Sequence, residues 1–447
     1  MQCERQLMLE EIAVPLVGMS LDPTAGRSHV AGQPLLEALH LAIPDTAIDA
    51  AIAQTGTAEL RCRLLPTRLV VALVLALGLW ARDAARQVLA SLIDSANERR
   101  LRSAVLRTAS KGAITRARQR VGPRPLIALF RTLARPIATP ETPGAFLGGL
   151  RLMAFDGSSL DLPDTPENTR IFGRPGSSRG QTAYPQLLLV WLVEVGTHIF
   201  CDALIRPCRS GEDSPVRQML RSISPGMLVM WDSGLHSFNL VQGTLACGAH
   251  FLGRVGSNII LTPLQTLADG SYTAYIYPSP QARHRGEGGI LVRVIEYTID
   301  DPVRTGHGER HRLITSLFDL DTFPATLLAA EYHQRWEAET TADEVKVHQA
   351  DRPVHVRSQR PREVIQEVYG LLVAHLAIRT LMFHAAERIA LDPDRLSFIN
   401  TLRIIRRAIP RFQRAEPERT PFCSPSCWTR LVKSGCHHAR TVSTLEW

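Results

Sequence analysis

The sequence predicts a mixed α/β protein arranged as helices, then strands, then helices. Three observations carry this reading. Residues 66–145 are apolar or basic over helix-length stretches. Residues 150–320 hold short β-type runs separated by Gly and Pro. Long amphipathic patterns return after about residue 325. The chain has 447 residues, 45% hydrophobic and 21% charged, which suits two or three folded domains and excludes a disordered or fibrous chain. The net charge of +8 favours an anionic partner such as nucleic acid.

The elements follow in order. Residues 1–60 are a mixed lead-in. Their start, "MQCERQLMLEE", carries acids where a secretory signal needs a basic start and an apolar stretch, so a cytoplasmic location is expected. The apolar run 69–81 is shorter than the roughly 18 residues that span a bilayer. It is closed by Arg68 and Arg82, so it reads as a buried helix starting near Pro66. From Arg99 to Arg135 there are ten Arg, one Lys and no Asp or Glu. Within it, "SKGAITRARQRVGPRPLIALFRTL" reads as a helix, a Gly-Pro turn and a second helix, suited to phosphate contacts. Arg116, Arg118 and Arg120 are the candidate contacts; the plainer alternative is a solvated basic face. Residues 136–149, rich in Pro and Gly, read as a linker.

The strands come next. "LRLMAFDGSSLDL" reads as a strand ending in a carboxylate, Asp156. "PQLLLVWLVEVGTHIFCDALIRP" reads as a hairpin turning at "VGTH". "PGMLVMWDSGLHS" is an apolar strand ending in Asp232, and "HFLGRVG", "YTAYIYPS", "GILVRVIEYTI" and "HRLITSLFD" extend the β series. An Asp closing a buried strand faces the mouth of an α/β sheet, where ligands sit. A single such Asp is weak evidence, because turns and N-caps use Asp freely.

A third carboxylate comes from "EYHQRWEAETTADEVKVHQ", residues 331–349. At about 100° per residue, Tyr332, Arg335, Glu339 and Lys346 share one stripe roughly 60° wide. Asp343 falls near the stripe as a rival acid, and Glu337 points away. A carboxylate can hold a hard cation, and Arg and Lys can hold phosphates. The plainer reading is an Arg335–Glu339 surface pair.

This Tyr-x2-Arg-x3-Glu-x6-Lys pattern, after "FDGSS" and "WDSGLHS", resembles the DDE transposases of the bacterial insertion-sequence-four type. "RLLPTRLVVALVLALGLW" and "AITRARQRVGPRPLIALFRTL" resemble the helical N-terminal domain of that branch, and "DPDRLSFINTLRIIRR" its C-terminal helices. The resemblance covers roughly residues 50–415. It departs at Asp-Gly-Ser, where Asp-Gly-Thr is commoner, and at Asp-Ser-Gly-Leu, where many members have Asp-Arg-Gly-Phe.

The resemblance implies an RNase H-like α/β core with a β-rich insertion, preceded by an all-helical domain and followed by C-terminal helices. The implied division is a lead-in (1–60), a basic DNA-binding domain (61–145), a first core part (146–256), the insertion (257–320), a second core part with C-terminal helices (321–415) and a tail (416–447). It also implies catalysis and metal binding by Asp156, Asp232 and Glu339, and DNA contacts by Tyr332, Arg335 and Lys346. Mg²⁺ is the expected cofactor, with Mn²⁺ able to substitute. The expected partners are double-stranded DNA and a second copy in a synaptic homodimer, near the bacterial nucleoid and without a membrane. A DNA-binding relic, or a nuclease that cuts without joining, are the alternatives. His236 suits a structural or DNA-contact role better than Mg²⁺ ligation. Cys423, Cys427, Cys436, His437 and His438 can be read as a zinc site, but their irregular spacing favours a loose tail.

Overall fold

The computed structural model describes residues 42–61, 63–95, 109–177, 180–181, 184–211, 213–298, 308–334, 336–349 and 356–412. Helices come first: α1 (Asp45–Gln54), α2 (Thr67–Leu79), α3 (Ala85–Ser95), α4 (Lys111–Val121) and α5 (Arg124–Leu133). The strands are β1 (Leu150–Asp161), β2 (Gln186–Glu194), β3 (Ile199–Pro207), β4 (Met227–Trp231), β5 (His250–Arg254), β6 (Tyr272–Ile276), β7 (Ile290–Thr298) and β8 (Arg310–Thr315). Helices α6 (Pro166–Phe172), α7 (Asp213–Met219) and α8 (Phe238–Ala246) lie between them. Then come α9 (Ala325–Gln334), α10 (Trp336–Asp343), a π-helical turn (Glu344–Gln349), α11 (Pro361–Glu387) and α12 (Phe398–Phe412).

The expected helix–turn–helix forms for local reasons. Ser110 caps α4, its Oγ accepting from the Ala113 amide at 3.2 Å. Gly122 ends α4 at φ +69°, and Pro123 and Pro125 open α5. The apolar run becomes α2, buried except at Arg68. That side chain pairs with Asp45 at 2.6 Å and Asp49 at 2.7 Å on α1. α2 packs along α11. Their closest approach is at Gly78 and Gly370, where a Cβ on Gly78 would meet the Gly370 carbonyl oxygen at 2.8 Å. α11 is long and apolar enough to cross a bilayer, but it lies buried inside this fold.

The strands form one mixed sheet in the order β3-β2-β1-β4-β5-β8-β7-β6, with Gln265–Thr266 beyond β6 and Phe146–Leu147 beside β1. β1, β4 and β5 run parallel, and the remaining pairings are antiparallel. The strands of residues 257–320 are therefore hydrogen-bonded onto the β5 edge and prolong the sheet. The β2–β3 hairpin turns where expected, but His198, not Gly196, takes the left-handed conformation, at φ +56°.

Two expectations need correcting. The stretch 136–149 is not a loose linker. Glu194 is fully buried at the end of β2 and accepts from the Ile137 and Ala138 amides at 3.0 Å each, from Thr197 Oγ1 at 2.6 Å, and from the Arg151 guanidinium. A buried carboxylate needs several donors, and this one takes two from the segment and fastens it to the sheet. Nor does β1 end at Asp156. It runs on to Asp161, because its far half keeps pairing with β2 after its parallel partner β4 has stopped.

Candidate active site

The two aspartates follow the paired stretch of β1 and β4. The parallel register pairs Arg151 with Met227 and Ala154 with Met230. Two further steps along both strands reach Asp156 and Asp232. Neighbouring strands lie about 5 Å apart, so both aspartates lie just past the same end of the pairing between adjacent parallel strands. Asp156 is half-buried and accepts from the Gly157 amide at 2.8 Å. The Asp232 side chain is 41% exposed, with Arg254 Nη1 at 3.8 Å. Trp231, the last residue of β4, is fully buried and stacks on Phe251 with centroids 5.5 Å apart. Its indole occupies the space over Gly253, where a Cβ would sit 2.3 Å from the ring. The residue before Asp232 is thus wedged in place.

α10, which carries Glu339, packs against β1, and α9 precedes it. The Glu339 side chain and all of Arg335 lie outside the described residues, as do the tail cysteines and histidines. Among the described residues no cluster of three or more His, Cys, Asp and Glu side chains gathers. The two described carboxylates, Asp156 and Asp232, are both partly solvated and are hard oxygen donors of the kind a divalent cation takes.

Tyr332 is buried, and its hydroxyl lies 3.3 Å from the Trp231 carbonyl and 3.4 Å from Asp232 Oδ1. The phenol hydroxyl thus lies between the end of β4 and the Asp232 carboxylate. Lys346 is half-buried and donates to Ser158 Oγ at 2.6 Å, two residues beyond Asp156 on β1. The single α-helical stripe is also corrected. From Glu344 the chain is π-helical, so 100° per residue no longer holds at Lys346. His236 is pushed down to about 4 by burial and is neutral at pH 7.

The basic cluster divides. Arg116 is exposed. Arg118 is buried, donating to Gln366 Oε1 at 3.1 Å, Ser358 Oγ at 3.1 Å and the Glu363 carbonyl at 2.9 Å. The guanidinium thereby ties α4 to α11. Arg120 is about one-third exposed; its guanidinium donates to the Leu65 carbonyl and lies 3.4 Å from Glu59. Arg254 was missed from the sequence, and Ser158 entered only as the hydroxyl of the Asp-Gly-Ser motif. Each had a signal, an Arg closing the strand beside Asp232 and a hydroxyl at i+2 from Asp156, on the same strand face.

Known proteins share this order of parts. The family described as insertion element 4 transposase N-terminal matches residues 34–131, and the transposase DDE domain matches residues 147–376. The transposase InsG for insertion sequence element IS4 of Escherichia coli (strain K12) is 27% identical over 379 residues, covering 84% of this chain and 83% of InsG. The putative transposase InsZ of the same strain is 33% identical over 153 residues, covering 34% of this chain and 51% of InsZ. A solved piggyBac transposase synaptic complex with hairpin DNA superposes with a TM-score of 0.46 at 12% identity, over 90% of this chain and 86% of that one. The chain belongs to the DDE transposases of the insertion-element-4 type, enzymes that cleave and join DNA with divalent metal.

Proposed function

We propose that this transposase binds the terminal repeats of its own insertion sequence, cuts there with Mg²⁺ and joins the freed end to target DNA. The observation that carries the reading is the parallel pairing of β1 and β4, which ends two residues short of Asp156 and of Asp232, beside the helix bearing Glu339. The mixed sheet with three parallel strands supports an RNase H-like core, with residues 61–145 as the end-binding domain and 257–320 as an insertion.

Asp156, Asp232 and Glu339 hold the metal in this reading. When bound, divalent ions neutralise the phosphodiester and stabilise the attacking and leaving oxygens. The protein supplies the rest. Tyr332 fixes Asp232 through its hydroxyl. Lys346 and Arg335 hold phosphates flanking the cut, the lysine from its seat on Ser158. Water attacks the phosphorus at the element end; the bond to the bridging oxygen breaks and frees a 3′-hydroxyl. That hydroxyl attacks a target phosphorus, releasing a target 3′-hydroxyl in turn. No side chain becomes covalently attached. Two copies act together in a synaptic dimer, in the cytoplasm beside the nucleoid.

The test uses labelled DNA carrying the element's ends, with Mg²⁺ or Mn²⁺, comparing the wild type with Glu339→Gln and Asp156→Asn. Joined products that vanish in both variants support the reading. Cutting without joining makes the protein a nuclease, and binding without cutting under either metal makes it a DNA-binding relic.

A further inference from the structure

Away from the carboxylates, one buried ionic cluster has no part in the chemistry above. Glu344 opens the π turn, five residues after Glu339 and two before Lys346, and is 4% exposed. Its Oε2 accepts from Arg379 Nε at 2.9 Å and lies 2.8 Å from His375 Nε2. Its Oε1 accepts from Arg379 Nη2 and lies 3.8 Å from His198 Nδ1. Asp394 completes the cluster, 3.1 Å from His198 Nε2 and 3.6 Å from Arg379 Nη1. Burial would raise the Glu344 carboxyl, but Arg379, with His198 and His375, overrides it and holds it well below the usual range. Four elements converge here: the π turn, α11, the β2–β3 hairpin and the turn before α12.

The far end of the π turn is tied as well. Gln349 is fully buried, and its side-chain amide donates to the Gly78 carbonyl at 3.0 Å and the Leu371 carbonyl at 2.9 Å. Glu344 and Gln349 therefore hold both ends of the turn to the α2–α11 body. Lys346, between them, points the other way and reaches Ser158 on β1. A π turn is a weak local conformation that needs outside support, and a bidentate Arg–carboxylate pair supplies geometric definition as well as energy.

We propose that Glu344 is a positioning residue for DNA cleavage: clamped by Arg379 and His375, it sets the π turn so that Lys346 sits against β1 beside Asp156. Glu344 itself touches neither DNA nor metal. The inference rests on the reading that Lys346 serves the cleavage step.

The test is a double-mutant cycle on the full chain. Single-turnover cleavage at saturating end DNA, and end-DNA affinity, are measured for Glu344→Gln, Lys346→Met and the double variant. Arg379→Lys, which keeps the charge but loses the bidentate geometry, runs in parallel and stands in if Glu344→Gln does not fold. Expected is a loss of about 100-fold in rate for Glu344→Gln, with affinity within about 3-fold, and a double variant no slower than the worse single, because both act on one group. A merely structural role predicts rate losses that multiply, and that result overturns the inference. So does cleavage within about 3-fold of wild type for folded Glu344→Gln or Arg379→Lys. If Lys346→Met leaves cleavage unchanged, the reading of Lys346 falls first and this inference with it.

Discussion

Replacing Arg118 by Ala separates a brace from a DNA contact. Three acceptors surround the buried guanidinium: Gln366 Oε1, Ser358 Oγ and the Glu363 carbonyl. Ser358 keeps another partner, since its hydroxyl also donates to Glu367 Oε2. Gln366 Oε1 loses its charged donor inside the protein, while the Glu363 carbonyl keeps the i+4 amide of its own helix. An acceptor orphaned in this way costs about 1–3 kcal/mol. The sum is roughly 3 kcal/mol, with the packing of the arginine stem included. The Gln366 amide still donates to the Arg118 and Gly122 carbonyls at 2.8 and 2.6 Å, so α4 stays attached while the joint weakens. Urea denaturation read by circular dichroism measures the loss. Salt-dependent binding of end DNA measures the other half. Arg118→Ala should leave the slope of log K against log salt unchanged for the folded protein. Arg116→Ala, at an exposed position, should leave stability within about 0.5 kcal/mol and make that slope shallower by about 0.9 for each phosphate the arginine neutralises. An Arg118→Ala protein of wild-type stability with a reduced salt slope would refute the brace and restore Arg118 as a DNA contact.

Other outcomes follow from the same geometry. Tyr332→Phe removes the hydroxyl near Asp232 Oδ1 and should slow single-turnover cleavage about 10-fold, as a misplaced catalytic group does, while end-DNA affinity holds; weakened affinity at an unchanged rate would return Tyr332 to a DNA-contact role. Glu331 is buried next to Tyr332, its Oε1 lacks a hydrogen-bond partner among the described residues, and burial pushes its carboxyl up to about 7. The native state thus holds the proton more tightly than the unfolded chain. Its stabilising effect is full below about pH 4.5 and is lost as pH rises to about 7, a change of roughly 3 kcal/mol. Glu331→Gln should remove that slope and stabilise the protein by a similar amount at pH 8; a variant less stable at pH 8 would show that the carboxylate has a partner worth keeping.

Much of this protein was legible from sequence, for physical reasons. Burial along α2 and α11, the capped and glycine-stopped α4, and the strands around Asp156 and Asp232 are local: periodicity, caps and turn residues specify them within a few turns of chain. The aspartates could be singled out because an ionisable group closing an apolar run is costly without a task. Tertiary structure decided the rest, because those properties depend on partners tens to hundreds of residues away. Composition made Arg118 look like its exposed neighbour Arg116; only the approach of α11 turned it inward. A Pro- and Gly-rich stretch reads as a linker until a buried Glu194 is found drawing on its amides. That Asp156 and Asp232 follow the paired stretch of neighbouring strands depends on the parallel register of β1 and β4, which no local pattern encodes. The π turn after the helix of Glu339 was equally invisible, since its support comes from Arg379 and His375 on another helix, and a conformation held by distant charges leaves no period in the sequence that adopts it.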